Sequence, residues 1–451
     1  MTIQLLPVPK KLDFRGGVFV LDGKKPLIIS GYSSHDALPA VRLFIDSLRT
    51  HGIARPMVVR SSGGPEPSAI NFAFEPALHP EEYRIDISNE TVILAASTPR
   101  GLIYAVRTFQ QILDQSGRDV PCLVVNDAPD FEVRGFYHDI SRGKIPTFAT
   151  MKLIVEKASR YKLNQVQLYV EHVFAFRTHP AIWKGADTLT PEEVLELDEY
   201  ARSLHVDLVP SLASFGHMYE ILKNPVYAHL AEIRNFDDSK QPLWKNRMEQ
   251  HTIDVSNEES YTLLAGLFAD YLPNFSSPWF NICCDETWYL GMDRNKDRAA
   301  RDGQGELYLG HVLRLYDMVK KRGKKVMMWG DILVKYPTLI SRLPDDVVFL
   351  NWEYGTSVTD KQSALFGAND RIFYNCPGVW GWSKFANTID NACRNIRKMV
   401  EYGVRYHARG IINTDWGDYG HINPLAGSFH GLALGASLSW NAGEPDDETF
   451  D

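Results

Sequence analysis

No stretch of the 451 residues approaches the roughly 20 consecutive apolar residues of a membrane span. The opening "MTIQLLPVPKKLDF" lacks the charged start and apolar core of a secretory leader. That fits a cytoplasmic protein, or an exported one whose leader is not part of this sequence. There is no block of lysine and arginine, and the net charge is -8, so the charge pattern excludes a nucleic-acid partner. The five cysteines, Cys122, Cys283, Cys284, Cys376 and Cys393, include no CxxC and are odd in number. They imply neither a disulfide framework nor a zinc site and read as small buried residues. No glycine-rich dinucleotide or phosphate fingerprint follows the first barrel strand, and no histidines stand at HxH or HExxH spacing. Neither a metal nor an organic cofactor is expected.

What is present is a globular composition, 44% hydrophobic and 12% aromatic, on a chain long enough for roughly two or three domains. The first part mixes strand and helix patterns. "YRIDIS" (83–88) and "TVILAAS" (91–97) read as a hairpin around Asn89-Glu90, and "STPRGLIYAVRTFQQILDQSG" follows with helical spacing and a closing glycine. This predicts a small α+β domain over 1–126, with turn residues in "NDAPDFEVRG" marking the joint. From 127 to 451 the rhythm is strand, loop, helix, repeated. Eight strands are predicted: "RGFYHDIS" (134–141), "QVQLYVE" (165–171), "VDLVPSL" (206–212), "FNICCDE" (280–286), "KVMMWGD" (325–331), "VVFLNWE" (347–353), "IFYNCPG" (372–378) and "GIINTDWG" (410–417). Eight such units suit an α/β fold, a closed (β/α)8 TIM barrel, with an open doubly wound sheet as the alternative. The long segment 218–279 is expected to carry loop insertions over the site.

In such a barrel the strands' C-terminal ends face the pocket. Asp285 and Glu286 end the fourth strand, Glu171 the second, Asp331 the fifth and Glu353 the sixth, and Asp418 follows the eighth. Trp329, Trp352 and Trp416 stand at similar levels. Carboxylates ringed by tryptophans suit a sugar, whose apolar faces pack on aromatic rings while its hydroxyls donate to carboxylates.

The "CDE" of strand four, the "RGFYHDISR" of strand one and the "SFGH" after strand three resemble family 20 glycoside hydrolases, the retaining β-N-acetylhexosaminidases. "LLPVPKKLDFRGGVFVL" and "GLIYAVRTFQQIL…VPCLVVNDAPDFEVRGF" resemble the small domain that precedes that family's barrel. The resemblance implies an exo-acting enzyme that removes terminal GlcNAc or GalNAc, with the substrate's own 2-acetamido group as nucleophile. Glu286 would be the general acid and then base, with a raised pKa, and Asp285 the ionised carboxylate that orients the acetamido group. Arg134 matches the arginine that grips the sugar's 3- and 4-hydroxyls; a salt bridge to Asp139 or Asp127 at the joint is the alternative for it. His217 matches the histidine beside the catalytic glutamate, with Glu171 its candidate partner. Trp329, Trp352 and Trp416 match the walls around the acetamido methyl, and Asp418 the acceptor of far hydroxyls.

Several positions depart from the family pattern. Cys283 and Cys284 stand where glycines are usual, and Asn281 where histidine is. The second strand ends "LYVEHVFAF" rather than in a His- and Asp-rich pattern. Strand seven, "FYNCPGVWGW", lacks the usual Tyr-x-Asp, so Tyr374 is expected to bond the acetamido carbonyl, with Trp380 or Trp382 sharing that wall. The alternatives from other classes are a sugar-binding barrel without catalysis and a metal-dependent hydrolase using His138, Asp139, His172 and His217.

Overall fold

The computed structural model describes residues 3–32, 34–234 and 251–443. Residues 235–250, inside the predicted insertion, and 444–451 of the acidic ending lie outside the described residues. Seven strands form the first sheet: β1 (Lys11–Val20), β2 (Leu27–Ser30), β3 (Val58–Ser61), β4 (Ile70–Phe74), β5 (Tyr83–Ile87), β6 (Val92–Ala96) and β7 (Asp119–Asp127). Their spatial order is β1-β7-β5-β6-β4-β2-β3. β5 and β6 pair antiparallel, as the hairpin reading requires, whereas β4, β2 and β3 pair parallel. The helix Pro99–Ser116 starts where the Thr98 side chain accepts the Gly101 N–H, with proline at its first position. It lies with a second helix, Ser34–Thr50, over one apolar core that includes Phe44, Phe72, Ile85 and Phe109.

Eight parallel strands then close into a barrel: β8 (Val133–Asp139), β9 (Gln165–Val170), β10 (Asp207–Leu212), β11 (Trp279–Asn281), β12 (Lys325–Trp329), β13 (Val348–Trp352), β14 (Phe373–Cys376) and β15 (Gly410–Asp415). The closed barrel excludes the open doubly wound sheet. Alternation of side chains sends one set outward under the helices and the other into the lumen. The lumen is filled by Tyr137, Tyr169, Val209, Met327, Trp329, Leu350, Tyr374 and Ile412, so the centre is packed, and a ligand can enter only at an end.

The fourth strand is much shorter than the predicted 280–286. Its ladder stops at Asn281 because Cys283 and Cys284 adopt positive φ values of 59° and 66°, and Glu286 one of 49°. Left-handed backbone cannot continue a strand.

The two sheets meet over a buried cation cluster. Arg134 is fully buried; its Nη1 lies 2.8 Å from Glu81 Oε2 and donates to the Phe131 carbonyl, and its Nη2 donates to Tyr104 Oη. The guanidinium also stacks over Trp440, 4.9 Å from the ring centre. Lys162 reaches Asp127 at 3.1 Å and covers the same ring. The salt bridge considered for Arg134 at the joint therefore exists, but to Glu81, while Asp127 serves Lys162. Replacing Arg134 by Met leaves Glu81 Oε2 and the Phe131 and Lys162 carbonyls without the donor it supplies, although Arg100 and Asn164 still reach Glu81 Oε1. The expected loss is about 3–5 kcal/mol of stability in denaturant or thermal unfolding, with turnover per folded molecule unchanged. An unaltered midpoint with a raised KM would return Arg134 to the substrate.

Candidate active site

At the C-terminal end of the barrel a cavity of about 210 Å³ is lined by Arg142, His217, Asp285, Glu286, Trp352, Tyr354, Trp382, Trp416 and Asp418. Its acidic centre is the turn that ends β11. The two cysteines of that turn are pinned: Cys283 N–H donates to Asn281 Oδ1, the Cys283 carbonyl accepts from Trp329 N–H, and the Cys284 carbonyl accepts from Tyr308 Oη. Three L-residues with positive φ cost about 1 kcal/mol or more each, and these bonds hold the two cysteines there. Glycines at 283 and 284 would adopt this backbone without strain. Cysteine fits because both thiols are buried, Cys283 against Ser211 and Cys284 against Ser214.

His217, itself at φ 56°, brings its Nε2 to 3.3 Å from Asp285 Oδ2 and 3.2 Å from Glu286 Oε2. Burial opposes charge on this imidazole, but Asp285 and Glu286 outweigh it and hold its proton well above the usual histidine range. The approach depends on Gly216, where a Cβ would stand 2.5 Å from the Asp285 carbonyl. Behind His217 lies Glu171, whose Oε1 accepts from Tyr169 Oη at 2.9 Å. Burial pushes the Glu171 carboxyl up to about 8 despite the opposing charges of Arg142 and His217. Glu171 Oε2 and His217 Nδ1 are both buried with no hydrogen-bond partner among the described residues.

The opposite wall is cationic. Arg142 donates through Nε to Asp139 Oδ2 at 2.6 Å and through Nη1 to Asp418 Oδ1. Its guanidinium stacks over Trp416 at 4.9 Å. Burial would raise the pKa of Asp139, but Arg142 and His421 outweigh it and hold the carboxylate below the usual range. The same carboxylate accepts the Gly417 N–H, which ties the loop bearing Trp416 and Asp418 to β8. A buried group reinforces that tie: Asp415 Oδ2 lies 3.0 Å from His138 Nδ1 and 3.6 Å from His421 Nε2, and His421 Nδ1 bonds the Asp139 carbonyl. The aromatic wall is continuous. Trp352 stacks on Tyr354 at 5.3 Å, Tyr354 meets Trp382 at 5.0 Å, and Trp416 Nε1 donates to Tyr354 Oη at 2.6 Å.

Of the residues expected from the sequence, Asp285, Glu286, His217, Trp352, Trp416 and Asp418 share this cavity, and Glu171 stands behind it. Trp329 lies one layer down in the lumen, 5.6 Å from Trp416. Two residues are elsewhere. Arg134 belongs to the joint, because it opens β8 at the barrel's far end; Arg142, which follows the end of β8, is the arginine of the cavity. Tyr374 pairs in register with Gly410, the first residue of β15, so its ring fills the lumen away from the cavity. Tyr354, two residues beyond β13, is the cavity's tyrosine. Both were findable from the direction of the strands: residues after a strand face the pocket, and residues opening one do not.

Two groups of three side chains among the described residues bring possible metal-ligand atoms within 4.8 Å of one another: His217 with Asp285 and Glu286, and His138 with Asp415 and His421. In both, each carboxylate stands at salt-bridge distance from an imidazole nitrogen. Of the four residues weighed for a metal, only His217 lines the cavity.

Comparison with known proteins agrees with this architecture. The model for glycosyl hydrolase family 20, domain 2, matches residues 2–128, and that for the glycosyl hydrolase family 20 catalytic domain matches residues 131–410. Hexosaminidase D of Bos taurus is 24% identical over 286 residues, covering 58% of this chain and 78% of that protein. Beta-hexosaminidase 1 of Coccidioides posadasii is 22% identical over 333 residues, 67% of this chain and 55% of that protein. The crystal structure of a Flavobacterium johnsoniae chitobiase superposes with a TM-score of 0.80 at 20% identity, over 99% of this chain and 70% of that one. The catalytic-domain match alone spans more than half of the sequence, and the chain belongs to glycosyl hydrolase family 20.

Proposed function

We infer that the cavity holds one terminal β-linked N-acetylhexosamine and hydrolyses its glycosidic bond, so that the protein is an exo-acting, retaining β-N-acetylhexosaminidase. The observation that carries this reading is the His217-bridged pair of Asp285 and Glu286 at the end of β11, inside an aromatic cavity the size of a single sugar. Glu286 protonates the glycosidic oxygen while the substrate's acetamido oxygen attacks the anomeric carbon. Asp285 accepts the acetamido N–H and balances the positive charge of the oxazolinium-like intermediate. Glu286, now ionised, takes a proton from water as that water opens the intermediate, which restores the original anomeric configuration.

The remaining roles follow from position. The Arg142–Asp418 pair presents a fork of donors beside an acceptor, which suits neighbouring sugar hydroxyls. Trp352, Trp382 and Trp416 pack on the apolar faces of the ring and the acetamido methyl, above a floor formed by Trp329. Tyr354 Oη, already an acceptor from Trp416, donates its own proton to the acetamido carbonyl in place of Tyr374. With Trp382 in the wall and no carboxylate on that loop, van der Waals packing takes over contacts that a charged side chain would make to the far hydroxyls.

The first test compares an aryl N-acetyl-β-glucosaminide with the matching aryl β-glucoside. Fast release is expected from the first alone; equal release from both would mean that a separate protein nucleophile does the work. Glu286→Gln is expected to lower kcat about 10²–10⁴-fold on substrates with poor leaving groups, and far less on activated aryl glycosides. Equal losses on the two would remove Glu286 as the acid. Asp285→Ala should lower kcat about 10²–10³-fold, and a change confined to KM would contradict its role in the transition state.

A further inference from the structure

Asp331 follows β12 after a single glycine and opens the short helix Asp331–Lys335. Its Oδ2 accepts the backbone N–H of Glu286 at 3.1 Å. This is the last of the bonds that pin the left-handed turn, and the one that fixes the residue proposed to move protons. The choice of a carboxyl here is costly, since Asp285 and Glu286 already crowd the space with negative charge. An asparagine oxygen would accept the same N–H without adding to that charge. A carboxyl that keeps its proton has a further capacity: one oxygen accepts while the other donates. The structure leaves an opening for such a donor. Asp331 Oδ1 and Asp285 Oδ1 are both buried, and neither has a hydrogen-bond partner among the described residues. Burial first, and the charge of Asp285 second, push the Asp331 carboxyl up to about 8. The groups that act on it are Asp285 and Glu286 from the turn, with Cys284 and Tyr308 packed behind.

We propose that Asp331 is a positioning residue that works un-ionised, holding the Glu286 amide with one oxygen and donating its proton to the Asp285 carboxylate with the other. The two catalytic carboxyls are thereby locked in one relative geometry, and the proton on Asp331 spares them a further negative charge. This rests on the roles given to Asp285 and Glu286 above. Wild-type discrimination between the aryl N-acetylglucosaminide and the glucoside tests those roles separately, and the variants are compared only on the substrate that wild type cleaves.

The experiment measures kcat and KM for wild type, Asp331→Asn and Asp331→Ala from about pH 4 to 9, with thermal unfolding of each to establish folding. Asparagine keeps the acceptor for Glu286 and a donor for Asp285, so D331N should stay within about threefold of wild-type kcat on the acid side. D331A should lose about 10²-fold in kcat with KM changed less than about threefold, because only the reacting geometry is disturbed. The alkaline limb of kcat, which in wild type includes ionisation of Asp331, should be displaced in D331N. D331N falling as far as D331A would show that a negative charge is needed at this position and overturn the proposal. So would a D331N alkaline limb identical to that of wild type, which remains decisive if D331A does not fold.

Discussion

His217 Nε2 stands within 3.3 Å of Asp285 Oδ2 and Glu286 Oε2, and the rest of the pocket is arranged around that contact. Adjacent carboxyls in a closed space repel each other and lose their hydration, so a cation or a proton must share the space with them. The imidazole supplies a cation, and the geometry that delivers it is demanding. Gly216 must lack a side chain for the histidine loop to approach the Asp285 carbonyl. The acidic turn must be left-handed to point two successive side chains at one nitrogen, since in a strand Asp285 and Glu286 would face opposite ways. That requirement cuts β11 to three residues, and the lost ladder bonds are replaced by individual bonds from Asn281, Trp329, Tyr308 and Asp331.

A second charge system stands across the cavity and is built differently. Arg142 is fixed between Asp139 and Asp418, with its flat face on Trp416. Its donors are ordered before any ligand arrives, so little side-chain freedom remains to be lost on binding. The loop that carries Trp416 and Asp418 is held by Asp139, His138, Asp415 and His421 acting together. Two separately braced walls therefore face one another across a space the size of one sugar ring.

The barrel was legible because its signal is periodic: eight apolar runs alternate with helical ones, and each of the eight strands overlaps its predicted run, the fourth only as far as Asn281. The acidic pair was legible because carboxylates at a strand's end have few other reasons to be there. What the sequence concealed was position along the barrel axis. "RGFYHDISR" holds two arginines eight residues apart, and only the direction of β8 tells which reaches the cavity. Tyr374 and Tyr354 pose the same problem, with one inside β14 and the other beyond β13. The left-handed turn was concealed for another reason. Glycine would have announced it, but Cys283 and Cys284 look like strand residues, and their backbone strain is held by bonds from distant parts of the chain.

The joint between sheet and barrel bears on the order in which the molecule is made. Trp440, near the end of the last described helix, is fully buried in the core of the first sheet, between Arg134 and Lys162. Its Nε1 donates to Asp127, the final residue of β7. During synthesis the first sheet leaves the ribosome some 300 residues ahead of that tryptophan, at a few to tens of residues per second. For that interval its core has an unfilled aromatic position, and two buried cations lack the ring they lie against. The contacts between that core and Trp440 can form only when the barrel's last helix returns to it.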